Sequence, residues 1–242
     1  FVVRAFKNES IPHPYGEVNF LNDIEQFVIE SRLIDVQIIE KRISNLSNYD
    51  KSLNKQEKEN IDKKINKLKE LSDLIESGEH FFSEKISDDH RSLVDSTFLM
   101  AKSPIMLIIN SDENNQIDQV DIDKAKSLLN QNTKVLQIPL KFEEDLVEIK
   151  EEEAKEFRNE LQIENNINMF FESILNISKS ICFLTAGKKE CRSWILKKGL
   201  TAVEAAGKIH SDIARGFVRA EVIHIDEIIK LSSEKEAKDK GI

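Results

Sequence analysis

Apolar positions along this chain change their spacing several times, and each change marks a different kind of element. Phe1–Phe6 (FVVRAF) reads as the second half of a buried strand, which breaks at Ile11–Gly16, where two prolines and a glycine disfavour helix or central strand. From Asn19 to Glu79 the chain has almost no Gly or Pro, and its apolar residues fall at helical spacing. Ile24, Phe27, Val28, Ile38, Ile39, Ile43 and Leu46 mark one stripe. Ile61, Ile65, Leu68, Leu71 and Ile75 mark a second. The polar segment Asn45–Gln56 lies between them, so the pattern predicts an antiparallel helical hairpin whose second arm ends at Ser77-Gly78. A shorter helix is expected over Asp88–Ala101.

Alternation of strand and helix returns after Pro104. Ile105–Ile109 is an unbroken apolar run that stops at Asn110 and reads as a buried strand. A helix over Val120–Leu129 and a second buried strand over Lys134–Leu140 follow. Glu143 to about Ile177 reads as one long helical stretch, with "EIKEEEAKEF" as a solvated face. In the last zone the spacing predicts strands at Ile181–Leu184 and Trp194–Leu196 around the turn Thr185–Glu190. A helix opens with Thr201 and Glu204 at capping-box spacing, and a third strand is expected over Phe217–Ile225. Hairpin, helix and strand in that order are the start of a β-grasp. The sheet lacks closing strands, and an open edge of that kind suggests truncation.

Composition narrows the function classes. The 242 residues carry a net charge of −9, which argues against a nucleic-acid coat but leaves room for a local basic patch. No apolar run approaches the ~20 residues that span a bilayer. Cys182 and Cys191 are nine residues apart without clustered His, so two free thiols in a cytoplasmic protein is the reading, not zinc. His210-Ser211-Asp212 are consecutive and cannot converge as a catalytic relay; they read as a helix end and turn, with Gly216 closing it. His13, between two prolines, is a loop residue.

Two long segments carry a family resemblance. "RAFKNESIPHPYGEVNFLNDIE" and "FLTAGKKECRSWILKKGLTAVEAAGKIHSDIARGFVRAEVI" closely resemble the YchF, or Obg-like, ATPases, and the order of elements between them fits throughout the chain. The resemblance implies an α/β fold: a partial P-loop G domain (1–18 and 102–178), an antiparallel coiled-coil insertion (19–101) and an incomplete β-grasp TGS domain (179–242). It implies a ribosome-associated hydrolase of ATP, with GTP less preferred, using Mg2+ and linked to translation and stress. A ribosomal or rRNA partner, a monomer, and neither membrane nor DNA are expected. No G-x-x-x-x-G-K-[ST] occurs in the chain. In this family that loop would precede Phe1, so the expectation is a polypeptide truncated at both ends and inactive alone. The alternative is a non-catalytic module that docks on RNA or protein.

GTPases read guanine with N-K-x-D, whose Asp accepts from guanine N1–H and the 2-amino group. The resemblance aligns this with Asn110-Ser111-Asp112-Glu113. Adenine lacks those donors, and a repositioned Glu113 carboxylate no longer rewards guanine. Asn110, Ser111 and Glu113 are therefore the expected base site, with Asp112 a partial mimic of the guanine reader. On those four residues alone, a polar turn after a core strand is the simpler reading. The second base-side element falls on Pro139-Leu140-Lys141, where only Lys141 is kept, either stacked on the base or merely on the surface. Pro139 removes a backbone donor. Lys188, Lys189, Arg192, Lys197, Lys198 and Lys208 form an expected RNA-facing patch. Trp194 could add a stacking face, although filling the small domain's core is the simpler role.

Overall fold

The computed structural model describes residues 1–48, 53–129, 133–161, 163, 166–187 and 190–230. Two compact units divide the chain, Phe1–Ile177 and Ser178–Ile242.

The first unit is built on three parallel strands, β1 (Val2–Arg4), β2 (Met106–Asn110) and β3 (Lys134–Ile138), in that spatial order. Leu107, Ile108 and Ile109 are all buried, which explains the unbroken apolar run of β2: both faces of the strand are covered. Leu107 and Ile109 pack with Val3, Ile24 and Ala125 on one side, bringing in α1 (Phe20–Ser47) and α4 (Gln119–Leu129). Ile108 packs with Leu136, Ile138, Ile167 and Phe170 on the other, under α7 (Asn166–Ile177).

Helix α1 serves two cores. Its start is capped by Asn19, whose Oδ1 accepts from the Asn22 amide, and Ile24 seals the sheet. Its later turns carry Ile39 onto α2 (Lys55–Glu76), where Leu68, Leu71 and Ile75 are buried with it. Arg32 of α1 lies beside Gly78 just past the end of α2, the pairing of an antiparallel hairpin. Part of the expected connecting turn lies outside the described residues. Asn54 and Glu57 form a capping box at the start of α2, and Gly78 at φ +90° ends it.

Several elements differ from the sequence expectation. The helix expected over Asp88–Ala101 is only α3 (Asp88–Leu93), followed by a 3-10 turn at Met100–Lys102. Tertiary bonds replace helical ones there: buried Asp35 accepts from the amides of Met100 (2.7 Å) and Ala101 (2.8 Å), and Lys102 Nζ donates to the carbonyls of Val94, Asp95 and Thr97. Strand β3 ends at Ile138 because Pro139 lacks a donor and starts α5 (Leu140–Leu146). The long helix expected from Glu143 is three: α5, α6 (Glu151–Glu160) and α7. Arg158 Nη2 donates to Glu143 Oε2 at 2.5 Å. In one continuous helix those residues would stand about 22 Å apart, so the buried pair requires the break.

In the second unit, β4 (Ser180–Ala186) and β5 (Cys191–Lys197) form an antiparallel hairpin. Helices α8 (Ala202–Ile209), α9 (Ser211–Arg215) and α10 (Ile225–Ile229) follow. The Thr201–Glu204 capping box forms as expected, and His210 ends α8 while its side chain caps α9. The expected strand over Phe217–Ile225 is absent. Its alternating residues find no partner strand among the described residues, and Val218 and Val222 stay 90% and 85% exposed. Cys182 and Cys191 are free and exposed, facing Ile195 and Ala186 across the hairpin. No described helix is long and apolar enough to cross a membrane.

Candidate nucleotide-base site

Parallel pairing places the C-terminal ends of β1, β2 and β3 on one rim, where open α/β sheets bind ligands. Arg4 stands opposite Asn110, and Asn110 opposite Ile138, so the loops that leave the three strands meet there. Asn110 spans that rim. Its carbonyl accepts from the Ala5 amide at 2.7 Å, and its side-chain Oδ1 accepts from the Leu140 amide at 3.2 Å. Its Nδ2 makes no hydrogen bond among the described residues and is free to donate.

The other expected base-site residues, Ser111, Glu113 and Lys141, and the neighbouring Asp112 lie on this rim in different states. Glu113 is exposed, and its carboxylate has no partner among the described residues. Asp112 is also exposed, and its carbonyl accepts from the Asn115 amide at 3.3 Å, closing a turn with Glu113 at its corner. Ser111 is turned inward: it is 4% exposed, and its Oγ accepts from Gln137 Nε2 at 2.8 Å. Lys141 follows the β3 loop, but its ammonium is held by Asp145 Oδ1 (2.8 Å) and Glu144 Oε2 (3.1 Å) on its own helix. Hydrogen bonds to Asp145 and then Glu144, with their charges, hold its pKa well above the ordinary lysine value.

Sequence reasoning missed two residues that shape the rim. Arg4 donates to the carbonyls of Phe6 (3.0 Å), Asn8 (3.1 Å) and Ile11 (2.8 Å), and its guanidinium lies 4.8 Å over the Phe6 ring. It thereby folds the loop after β1 back on itself. Gln137 is the other; a glutamine inside the apolar run "KVLQIPL" was its signal. His13 is no idle loop residue: its Nδ1 accepts from the Tyr15 amide, so Nε2 carries the proton directed at Asp23 Oδ2, 3.1 Å away. This ties the proline loop to the start of α1. A depression of about 360 Å3 opens beside the rim between Ala5, Phe20, Asp112 and Ile117.

The expected RNA patch is spread more widely. Arg192 lies 4.6 Å over the Trp194 ring on one face of the hairpin, and Trp194 Nε1 donates to Thr185 Oγ1 at 2.9 Å. Trp194 is half-buried, with one ring face already covered. Lys197, five residues from Arg192 along β5, points to the opposite face and donates to the Ser178 carbonyl. Lys198 and Lys208 are exposed, and Lys188 and Lys189 lie outside the described residues.

A family model described as YchF-GTPase_C, protein of unknown function (DUF933), matches residues 181–242. The ribosome-binding ATPase YchF of Bacillus subtilis is 30% identical over 245 residues, covering 99% of this chain and 66% of that protein. Its namesake from Buchnera aphidicola subsp. Schizaphis graminum is 31% identical over 241 residues, with the same shares covered. The chain thus spans 66% of the length of these curated relatives. The structure of the Schizosaccharomyces pombe YchF GTPase matches 99% of this chain and 65% of its own, with a TM-score of 0.77 at 24% identity, a likeness of fold. Similarity that runs through 99% of the sequence, together with the same α/β fold, means that this chain belongs to the YchF family.

Proposed function

We propose that the whole protein hydrolyses ATP in preference to GTP at the ribosome, and that this chain supplies the part of the site that reads the base. One observation carries the reading: among the described residues, Asn110 is fixed across the rim with its Nδ2 free, while the Glu113 carboxylate stands unpartnered at the corner of the next turn. A purine offers N7 as an acceptor, and adenine adds a 6-amino donor. An amide donor beside a carboxylate acceptor complements that edge. Guanine presents a carbonyl where adenine carries its amino group, so the same carboxylate disfavours it.

Mg2+, when bound with the phosphates, neutralises charge that develops during phosphoryl transfer. Among the described residues no group of three or more His, Cys, Asp or Glu could hold a metal. The relatives named ribosome-binding ATPases support the ribosomal setting. In this reading α1 and α2 are a coiled-coil insertion at 19–101 between G-domain segments 1–18 and 102–178. Residues 179–242 belong to a TGS β-grasp domain, whose exposed Arg192, Lys198 and Lys208 meet rRNA phosphates.

The test is competition between ATP and GTP for the protein that also carries its phosphate-binding segment. Glu113→Asp withdraws the carboxylate by one methylene toward a guanine-accepting position. It should lower the ATP:GTP preference about tenfold, the ratio that one good hydrogen bond sets. An unchanged ratio refutes base reading by this turn.

A further inference from the structure

Gln137 makes more directed contacts to the base-site loop than any expected site residue. Its Nε2 donates to Ser111 Oγ (2.8 Å) and to the Asn115 carbonyl (2.5 Å), while Oε1 accepts from the Ile117 amide (3.0 Å). The orientation of the carboxamide is unambiguous. Flipping it would set Nε2 against the Ile117 N–H and Oε1 against the Asn115 carbonyl, donor on donor and acceptor on acceptor.

These contacts fall on both sides of the turn Asp112–Asn115. Ser111 precedes it, Asn115 closes it and Ile117 follows it, and Asn115 Nδ2 donates to the Ala5 carbonyl at 3.4 Å. Glu113 sits between these fixed points, on a segment too short to move independently of them. Gln137 itself stands on β3, where it pairs with Ile109 of β2, so the loop after β2 is anchored to the neighbouring strand. Asn110 Oδ1 meanwhile holds the Leu140 amide. Side chains thus cross the rim in both directions: one from β2 to the loop after β3, the other from β3 to the loop after β2.

We propose that Gln137 is a positioning residue for base selection: by gripping Ser111, Asn115 and Ile117, its carboxamide sets where the Glu113 carboxylate stands and so sharpens the preference for adenine. This rests on the base-reading role of Glu113. Gln137 does not touch the base; it acts by denying the turn alternative positions from which Glu113 could tolerate guanine. Preorganisation of this kind lies in the supporting side chains as much as in the reader.

Two substitutions separate the contacts. Gln137→Met keeps similar bulk and removes the hydrogen bonds to Ser111, Asn115 and Ile117. Gln137→Glu keeps the acceptor for Ile117 but places an oxygen against the Asn115 carbonyl. Hydrogen exchange on the 242-residue chain reads the grip directly. In Gln137→Met the Ile117 amide should exchange about tenfold faster or more, while the Ile108 amide on β2 keeps its rate. Unchanged exchange at Ile117 overturns the proposal. ATP and GTP competition on the protein with its phosphate-binding segment then reads the consequence. Both variants should lower the ATP:GTP ratio, by about three- to tenfold for Gln137→Met. If Glu113→Asp shifts the ratio and neither Gln137 variant does, Glu113 reads the base and the positioning role is wrong. If none of the three shifts it, the base-reading role itself has failed, and the proposal falls with it.

Discussion

Replacing Asp35 by alanine should uncouple the middle of α1 from the segment that leads into β2. Asp35 is 1% exposed, and its two oxygens accept from the amides of Met100 at 2.7 Å and Ala101 at 2.8 Å. A hydrogen bond to a charged group contributes about 1.5–3 kcal/mol, and the substitution leaves two partly buried donors behind. Burial offsets some of this: it raises the Asp35 pKa above its ordinary 3.8, against the opposing pull of the Ala101 and Met100 amides. The expected net loss is therefore about 2–4 kcal/mol. With a urea slope of about 2 kcal/mol per molar, the midpoint followed by helical circular dichroism should fall by about 1–2 M. Trp194, the one tryptophan, lies in the second unit, so its fluorescence reports on that unit by itself. The pH dependence has a definite sign. Because the folded pKa lies above the unfolded value, the stability tied to the Asp35 proton is full below pH 3.8 and is lost as pH rises through the folded pKa. The wild type should therefore lose stability relative to Asp35→Asn over that rise. A midpoint shift under about 0.3 M would refute the reasoning.

Three further substitutions test other joints of the fold. Arg158→Ala leaves Glu143, 5% exposed, as a buried charge without its 2.5 Å partner, and should cost about 3–5 kcal/mol. Glu143→Leu combined with Arg158→Leu should recover most of that loss in urea denaturation; no recovery would mean the pair is not what joins α5 to α6. Gly78→Ala forces φ +90° on a residue with a Cβ and should cost about 1–2 kcal/mol. The crowding atom, Arg32 Nη1 at 2.9 Å, is the end of a flexible side chain and can move, so backbone strain sets the cost; an unchanged dichroism midpoint would contradict this. Thr201→Ala removes the capping box of α8 and should lower the Trp194 fluorescence midpoint by an amount equivalent to about 1 kcal/mol. Bonds from the Thr201 amide and hydroxyl hold the Glu204 pKa below its ordinary 4.5. The contribution of the box is therefore present above pH 4.5 and fades as pH falls through the lowered value.

What could be read from the sequence was what hydrophobic burial and local hydrogen bonding decide. The run Ile105–Ile109 announced a buried strand, and the stripe Ile65, Leu68, Leu71, Ile75 announced a helix with one apolar side. Thr201 and Glu204 announced a cap. Long-range polar contacts were illegible. Nothing local reveals that Arg158 returns to Glu143, so the break before α6 was missed. Nothing local reveals that Asp35 takes the amides of Met100 and Ala101 from the helix expected there. Phe217–Ile225 failed for a related reason: alternation specifies a strand only where another strand offers an edge. At the rim, the position of Asn110 after a core strand was legible. The inward turn of Ser111 was not, because it depends on Gln137, 26 residues away in sequence.

The central claim is that the rim formed by Asn110, the 111–117 loop and Leu140 holds the nucleotide base. Hydrogen exchange of the protein with its phosphate-binding segment, with and without saturating ATP or GTP, measures this most directly. The account predicts that the amides from Ser111 to Ile117 slow on nucleotide binding, and slow more with ATP than with GTP at equal occupancy. Full occupancy by ATP with unchanged exchange throughout that loop would contradict it.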